Sequence, residues 1–535
     1  MLQPHSSAPA RLRLFFCHES LVCHESFSTP SLCARLLCFL MIFCALGAFP
    51  AWARGKKPHA KPASTSPSQV GQWAAPVYFC STGPCVVGAN AVVLNTGNVL
   101  FYYYPPALFT GSLAAVLNPV TGALTFIQVN VERDIFCSGV SVLPNGMVAI
   151  SGGVVEATHV GTSFPDGTVN LTLFDPATQT WSTGQSMTYA RWYPSSVIMS
   201  DGTMLELSGS NETGTKVQNW LESYNYLTGS WTVLPSTANL PSDTLQTYPR
   251  LTLLNSGNVL MSAPAAATYQ FNPSTNWWTF VANTNFGYRY FAPHVLLPGT
   301  QKVMVAGGSP TQPNGGSTAT ATAEIIDMSK TTPAWTYTTP MNYARYNENL
   351  VILADGTILA VGGGGGGGEY TNPIYTPELY NPTAATWTVM APQAIQRTYH
   401  STAVLLPDGR VISSGSDNRV TTEMTYEIYS PPYLFKGTRP AIQASPASVS
   451  YGAQFTITTS NASTITGVAL VRPGATTHAD DFDQRYVPLT FTAGSGTLTA
   501  TAPATSSQAP PGYYMLVIVN SSGVPSIMPF LSLSN

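Results

Sequence analysis

Ala354-Asp-Gly356-Thr-Ile-Leu359 joins a turn-forming Asp-Gly pair to a short apolar run, and the arrangement recurs along the chain. It returns as Asn95-Thr-Gly97-Asn-Val-Leu100, Pro144-Asn-Gly146-Met-Val-Ala149 and Ser200-Asp-Gly202-Thr-Met-Leu205. Asn255-Ser-Gly257-Asn-Val-Leu260 and Pro407-Asp-Gly409-Arg-Val-Ile412 repeat it closely, and Leu297-Pro-Gly299-Thr-Gln-Lys-Val303 more loosely. The glycines lie roughly 40 to 57 residues apart, a period expected of blade-type repeats. Between them stands a second element: Phe174-Asp-Pro-Ala-Thr-Gln-Thr-Trp181, Tyr226-Leu-Thr-Gly-Ser-Trp231, Phe271-Asn-Pro-Ser-Thr-Asn-Trp277 and Tyr380-Asn-Pro-Thr-Ala-Ala-Thr-Trp387.

Each unit thus offers two successive hairpins, one through the glycine turn and one through the Asn-Pro-type turn. A four-stranded sheet of this size cannot bury both faces alone. Radial stacking buries them, and circular closure protects the edges. Seven such units resemble the kelch-type β-propeller. The pattern spans residues 71–437 and stops after Tyr429-Ser-Pro-Pro-Tyr-Leu-Phe435. From 438 to 535 short alternating strands such as Phe455-Thr-Ile-Thr-Thr459 and Tyr513-Tyr-Met-Leu-Val-Ile-Val519 suit an immunoglobulin-like β-sandwich. The fold expected is all-β: a seven-bladed kelch-type β-propeller followed by a C-terminal immunoglobulin-like β-sandwich.

Composition narrows the function. Charged residues are 9% of the chain, against about a quarter in an average soluble protein. The formal net charge of -3 provides no basic footprint, so nucleic acid is excluded as the expected partner.

Residues 1–53 read as a signal peptide. Arg11, Arg13 and Arg35 precede the apolar run Leu36–Phe49, and Ala51-Trp52-Ala53 fits a small-residue cleavage site. A retained anchor is the rival reading of that run. Residues 54–70, rich in Lys, Pro and Ser, read as a flexible tether. The remainder is expected to be secreted, extracellular or periplasmic, and to touch no membrane after cleavage.

Five of the eight cysteines leave with the leader. Cys80 and Cys85 stand close enough to pair across a tight turn. Cys137 is then left over, and an odd cysteine in an exported protein calls for a free thiol, an intermolecular bond or an unusual covalent partner. Histidines are few beyond the leader: His59 in the tether, His159 and His294 isolated, His400 directly after Tyr399, and His478 in the second domain. The isolated ones read as structural.

The segments around Cys137, Tyr193, Tyr399, His400 and His478 resemble the copper-radical oxidases, the family of galactose oxidase and glyoxal oxidase. Phe136-Cys137-Ser-Gly139 is similar to the family's cysteine segment, and Ala190-Arg-Trp-Tyr193 to the glyoxal-oxidase form of its tyrosine segment. Tyr399-His400-Ser, followed by Leu405-Leu-Pro-Asp-Gly-Arg-Val411, and Thr477-His478 with Asp483-Gln-Arg485 match its last two ligand segments. Pro511-Gly-Tyr-Tyr-Met-Leu516 and Gly523-Val-Pro-Ser526 match its C-terminal domain.

The resemblance implies that Tyr193 is joined through its ring to the Cys137 sulfur. It implies one copper held by Tyr193, Tyr399, His400 and His478, a set of imidazole nitrogen and phenol oxygen donors that suits Cu(II). The activity implied is oxidation of primary alcohols or aldehydes, with Tyr399 as general base, the Tyr193 radical as hydrogen acceptor, and dioxygen reduced to hydrogen peroxide. A small alcohol or aldehyde and dioxygen are then the partners, carbohydrate alcohols being among the candidates, and the protein is expected to be a monomer.

Departures from the family bear on substrate. Where galactose oxidase stacks a tryptophan on the modified tyrosine, this chain has Ser208-Gly-Ser-Asn211, leaving Trp192 or an aromatic of another loop as a substitute. Arg250 and Gln312 are the candidates for the family's sugar contacts. No counterpart of galactose oxidase's N-terminal carbohydrate-binding domain is seen, and small aldehydes, glyoxal-type compounds and other primary alcohols are favoured. The glycine run Gly362–Gly368 reads equally as a flexible loop or as repeat slippage. The alternatives are a non-catalytic propeller binding glycan or protein, and a metalloenzyme using zinc or copper without a radical.

Overall fold

The computed structural model describes residues 64–80, 85–103, 112–129, 135–154, 166–240, 244–312, 317–417 and 422–534. The expected leader, His59 and His159 lie outside these residues. Seven antiparallel sheets follow one another, one for each turn glycine. The third (Trp192–Ile198, Met204–Ser210, Glu222–Asn225, Ser230–Val233) is representative. Its first hairpin turns at Gly202, whose φ of 84° is the left-handed region that glycine enters without penalty. Asp201 Oδ1 accepts the Thr203 N–H at 2.9 Å, and Asp355 repeats this with Thr357 at 3.0 Å. Thus the Asp-Gly-Thr motif closes its turn by side-chain-to-backbone bonding.

The second element also has a physical role. The aromatic before each Asp or Asn turn packs on the tryptophan after it, with ring centroids 4.7 Å apart for Phe174–Trp181 and 4.8 Å for Tyr380–Trp387. In the third sheet the partner of Trp231 is Tyr224, at 5.1 Å. In the fourth sheet the packing ring is Trp278, 5.1 Å from Phe271, while Trp277 is 58% exposed. Alternation along the strand explains the change, since neighbours in a strand face opposite sides.

Sheet stacking supplies the core. Val197, Leu205 and Leu207 of the third sheet meet Leu251, Val259 and Met261 of the fourth. Each such side chain, fully buried, contributes about 1.5–3 kcal/mol. The seventh sheet (Ser401–Leu405, Val411–Gly415, Thr425–Ser430) takes its outer strands from the beginning of the described chain: Gln72 pairs with Ser430 and Val77 with Tyr426. Pro67–Val70, within the expected tether, form a helical turn with Val70 buried. The Tyr429 hydroxyl donates to the Val70 carbonyl at 2.7 Å.

The last hundred residues form a five-stranded and a three-stranded sheet. One hairpin (Ala475–Thr477 and Asp480–Asp481) leaves them and extends the first sheet, pairing Asn90 with Thr477 and Val92 with Ala475. His478 stands at its tip. Among the described residues no helix is long and apolar enough to cross a membrane.

Candidate metal centre

A repeated brace fixes the start of several sheets. Arg191, Arg289, Arg345 and Arg397 are all fully buried, and each pairs with a buried glutamate: Glu222 at 2.9 Å, Glu324 at 2.7 Å, Glu378 at 2.8 Å and Glu427 at 3.4 Å. Each guanidinium also donates to a carbonyl at the end of its sheet's second strand: Ser208, Gly307, Gly362 and Gly415, at 2.7–3.0 Å. The glutamates spend their other lone pairs on backbone N–H groups, as Glu222 does on Thr188 and Glu427 on Ala394. Every charge is compensated, as burial demands. The motifs Ala190-Arg-Trp-Tyr193 and Arg397-Thr-Tyr-His400 therefore carry a repeat signal as well as a chemical one. An arginine ahead of the first strand and a glutamate in the third, recurring in four of the sheets, would have revealed it.

Just after each brace the chain enters a left-handed turn. Cys137, Tyr193, Tyr248, Phe291, Asn347 and His400 all have φ between 50° and 62°. They occupy one position in successive sheets, and backbone bonds link several of them. Tyr193 N–H donates to the Cys137 carbonyl, Tyr248 N–H to the Tyr193 carbonyl and Asn347 N–H to the Phe291 carbonyl, each at 2.9 Å. Such φ values are unfavourable for residues with a Cβ and persist where the surroundings impose them. Here they aim side chains at the centre of the ring. His478, φ 51°, arrives from the other side on its hairpin.

The structure brings together every residue expected at the site. Cys137, Tyr193, Tyr399, His400 and His478 are all at most 8% exposed. Donor atoms of Cys137, His400 and His478 lie within 4.8 Å of one another. The Cys137 sulfur is 3.6 Å from His478 Nε2, and the Tyr193 and Tyr399 hydroxyls are in hydrogen-bond contact. The histidine rings are 4.6 Å apart, Tyr193 is 4.6 Å from His478, and Tyr399 stacks on His400 at 3.8 Å. Cys80 and Cys85, away from this cluster, form a disulfide.

The hydrogen bonds behind the histidines test whether a metal fits. His400 Nδ1 faces the Asp417 carbonyl at 3.2 Å; a carbonyl only accepts, so Nδ1 carries the hydrogen and Nε2 its lone pair. His478 Nδ1 is 2.6 Å from Thr477 Oγ1, whose own hydrogen goes to the Ala89 carbonyl, so the same tautomer results. Such outer bonds orient ligating imidazoles. Burial, then His400 and Arg250, hold His478 well below its ordinary pKa, so it stays neutral. Burial first, then Cys137 and Tyr399, pushes the Tyr193 phenol far above its ordinary value. Burial and then Glu369 do the same to Tyr399. Two imidazole lone pairs and two phenols that need a cation to ionise fit a copper ion.

Trp192 lies flat on Tyr193, centroids 3.6 Å apart and planes 12° from parallel, so it stands where the resemblance left a gap. Tyr248, not singled out from sequence, stacks on the same ring at 4.4 Å. Arg250 spends most of its donors on the protein. It donates to the carbonyls of Ala292, Tyr248 and His478 and pairs with Asp480 at 3.1 Å. His294 Nδ1 lies 3.1 Å from the other Asp480 oxygen, and its Nε2 faces the Leu251 carbonyl at 3.1 Å, a structural placement. Arg250 therefore braces the His478 hairpin, while Gln312 lines the pocket beside it.

In the glycine run, Gly362 to Gly364 belong to the strand Ile358–Gly364, and Gly366 bridges Thr318. A Cβ on Gly362 would sit 2.6 Å from the Arg397 carbonyl, so its side-chain-free backbone is what lets the seventh sheet approach.

The family described as "Glyoxal oxidase N-terminus" matches residues 114–433, well over half of the chain. The chain belongs to the glyoxal oxidase family. In keeping with this, "Galactose oxidase-like, Early set domain" matches residues 439–531. Among named relatives, galactose oxidase of Gibberella zeae is 32% identical over 484 residues, covering 83% of this chain and 68% of that protein. Aldehyde oxidase GLOX of Vitis pseudoreticulata is 27% identical over 441 residues, covering 75% of this chain and 82% of that protein. A fungal alcohol oxidase solved in complex with copper superposes with a TM-score of 0.76 at 26% identity, over 87% of this chain and 100% of that one. The propeller and second domain expected of a glyoxal oxidase relative are thus both present.

Proposed function

We propose that this chain is an exported copper-radical oxidase that converts small aldehydes and primary alcohols, with dioxygen reduced to hydrogen peroxide and a Cys137–Tyr193 thioether as its second redox centre. The observation that carries the reading is the convergence of two Nε2 lone pairs, two tyrosine hydroxyls and the Cys137 sulfur in one buried cluster. Tyr193, Tyr399, His400 and His478 would hold the copper. When bound, the metal supplies one of the two oxidising equivalents and a Lewis-acid position for an oxygen donor.

The residues divide the remaining work. Joining Cys137 to Tyr193 removes one hydrogen from sulfur and one from the ring, and dioxygen takes both as hydrogen peroxide. In turnover Tyr399 accepts the substrate's hydroxyl proton and oxidised Tyr193 takes the hydrogen atom from its carbon. An aldehyde enters as its hydrate, which supplies the hydroxyl; the alcohol or hydrate loses two electrons and two protons to become aldehyde or acid, and dioxygen receives both as hydrogen peroxide. Trp192 covers the Tyr193 ring against water.

The small pocket beside Tyr193 is lined by Tyr248, Tyr290, Phe291, Arg250 and the amides of Gln246 and Gln312. With most of the Arg250 guanidinium committed to protein partners, the extra hydroxyls of a sugar would depend chiefly on Gln246, Thr247, Tyr290 and Gln312. Each hydroxyl left unpaired would cost about 1–3 kcal/mol. Small aldehydes and simple primary alcohols are therefore favoured over galactose. Export is supported by the leader-like segment and by the Cys80–Cys85 disulfide, which persists in oxidising compartments.

The test is peroxide production by copper-loaded protein over methylglyoxal, glyoxal, glycerol and galactose, with intact mass measured before and after copper. Peroxide with methylglyoxal or glyoxal foremost, and a mass loss of two hydrogens, is expected. Absence of peroxide from all four with copper bound would refute the oxidase reading.

A further inference from the structure

Tyr193 is covered on both faces. Trp192 lies at 3.6 Å and 12°, Tyr248 at 4.4 Å and 27°. Two rings that each lie nearly flat on a third must occupy its opposite sides. Tyr248 reaches this place by repetition of the fold: it occupies in the fourth sheet the position that Tyr193 occupies in the third. It has the same left-handed backbone and bonds its N–H to the Tyr193 carbonyl at 2.9 Å.

Its hydroxyl is tied down too, donating to the Ser138 carbonyl at 2.9 Å. Ser138 follows Cys137, so Tyr248 spans from the cysteine segment to the tyrosine ring. His478 lies beside it at 4.9 Å and Phe482 at 6.1 Å, and it is 4% exposed. It can move only if the hairpin and both neighbouring sheets move.

We infer that Tyr248 is a positioning residue for the Tyr193 radical, the second plate of a Trp192–Tyr193–Tyr248 sandwich that holds the ring against Cys137 and excludes water and dioxygen from its second face. Because the hydroxyl is committed to a carbonyl, which takes no proton, Tyr248 acts through its ring and stays a neutral phenol. This rests on the copper-radical reading above and adds to it a residue that packs on two of the ligand side chains, Tyr193 and His478, without being a ligand itself.

The test uses the copper-loaded full chain and two variants, Tyr248→Phe and Tyr248→Leu. The readouts are the rate at which the mass falls by two hydrogens after copper and air are added, and the first-order decay of the radical's optical band and electron spin resonance signal without substrate. Tyr248→Leu should form the thioether more slowly and shorten the radical's lifetime by about tenfold, the scale an aromatic contact supports. Tyr248→Phe, which keeps the plate and loses only the latch, should restore most of that lifetime. Equal lifetimes in parent and Tyr248→Leu would overturn the inference, as would a Phe variant as short-lived as Leu. Should Tyr248→Leu fold poorly, Tyr248→Met, which also removes the aromatic plate, provides the same comparison, with the same shortened lifetime expected. A parent protein that never loses two hydrogens would instead refute the underlying reading.

Discussion

Two halves of one ring differ in chemistry while sharing a backbone. Cys137, Tyr193 and His400 occupy the left-handed position in the second, third and seventh sheets, and Tyr248, Phe291 and Asn347 occupy it in the fourth, fifth and sixth. The repeat thus builds six inward-facing places by local rules. A reactive centre needs only that some of them carry sulfur, phenol or imidazole. The scaffold and the site are separable in cause even though they share residues.

The sharpest way to break the comparison is to make the reactive half silent. Cys137→Ser should reduce peroxide production by on the order of a thousandfold, because the residues act as one unit. Its thermal midpoint should stay close to the parent's, and no hydrogens should be lost on copper treatment. A large drop in stability would show that chemistry and scaffold are not separable.

A second change attacks the brace. Arg397→Met leaves Glu427 buried without its cation, which should cost about 3–5 kcal/mol in denaturant unfolding. Copper binding should weaken with it, since Tyr399 and His400 follow directly. Arg410→Met, at a partly exposed pair with Asp408, should cost no more than about 1 kcal/mol.

The silent half supplies the third test. Asn347 has φ 61°, so Asn347→Val should cost about 1–2 kcal/mol and Asn347→Gly much less. Copper affinity, read by calorimetry, should be unchanged in the glycine variant.

The smallest effect is one of pH. Burial, outweighing the opposing pull of Arg345 and Arg289, pushes the pKa of the Glu348 carboxyl up to about 8. A carboxyl raised in the folded state contributes stability that is complete below its unfolded pKa and is lost as pH climbs through the folded one. Unfolding free energy should therefore fall between about pH 4.5 and pH 8. Glu348→Gln should flatten that slope and stabilise the protein at pH 8 by on the order of 1 kcal/mol.

Much of this was legible in the residues. Turn glycines and Asn-Pro turns are local signals, and they fall where the hairpins are. The ligand segments were legible through resemblance. The outer strands of the seventh sheet were not, because Gln72–Trp73 and Val77–Tyr78 are two residues each and their partners lie some 350 positions away. Trp192 could not be placed either. Consecutive strand residues point to opposite faces, so Trp192 and Tyr193 should part. The left-handed turn at Tyr193 cancels that alternation, as the one at His400 does for Tyr399. The pairing of Arg250 with Asp480 was not legible either, because no local pattern connects the two.

The hairpin that carries His478 fixes an order of events. It belongs to the final quarter of the chain as it leaves the ribosome, so three of the four ligands must wait for the fourth. A nascent protein with only its ring of sheets has no complete claim on copper. Oxidative self-modification is thereby postponed until synthesis has passed the hairpin and the second domain has docked.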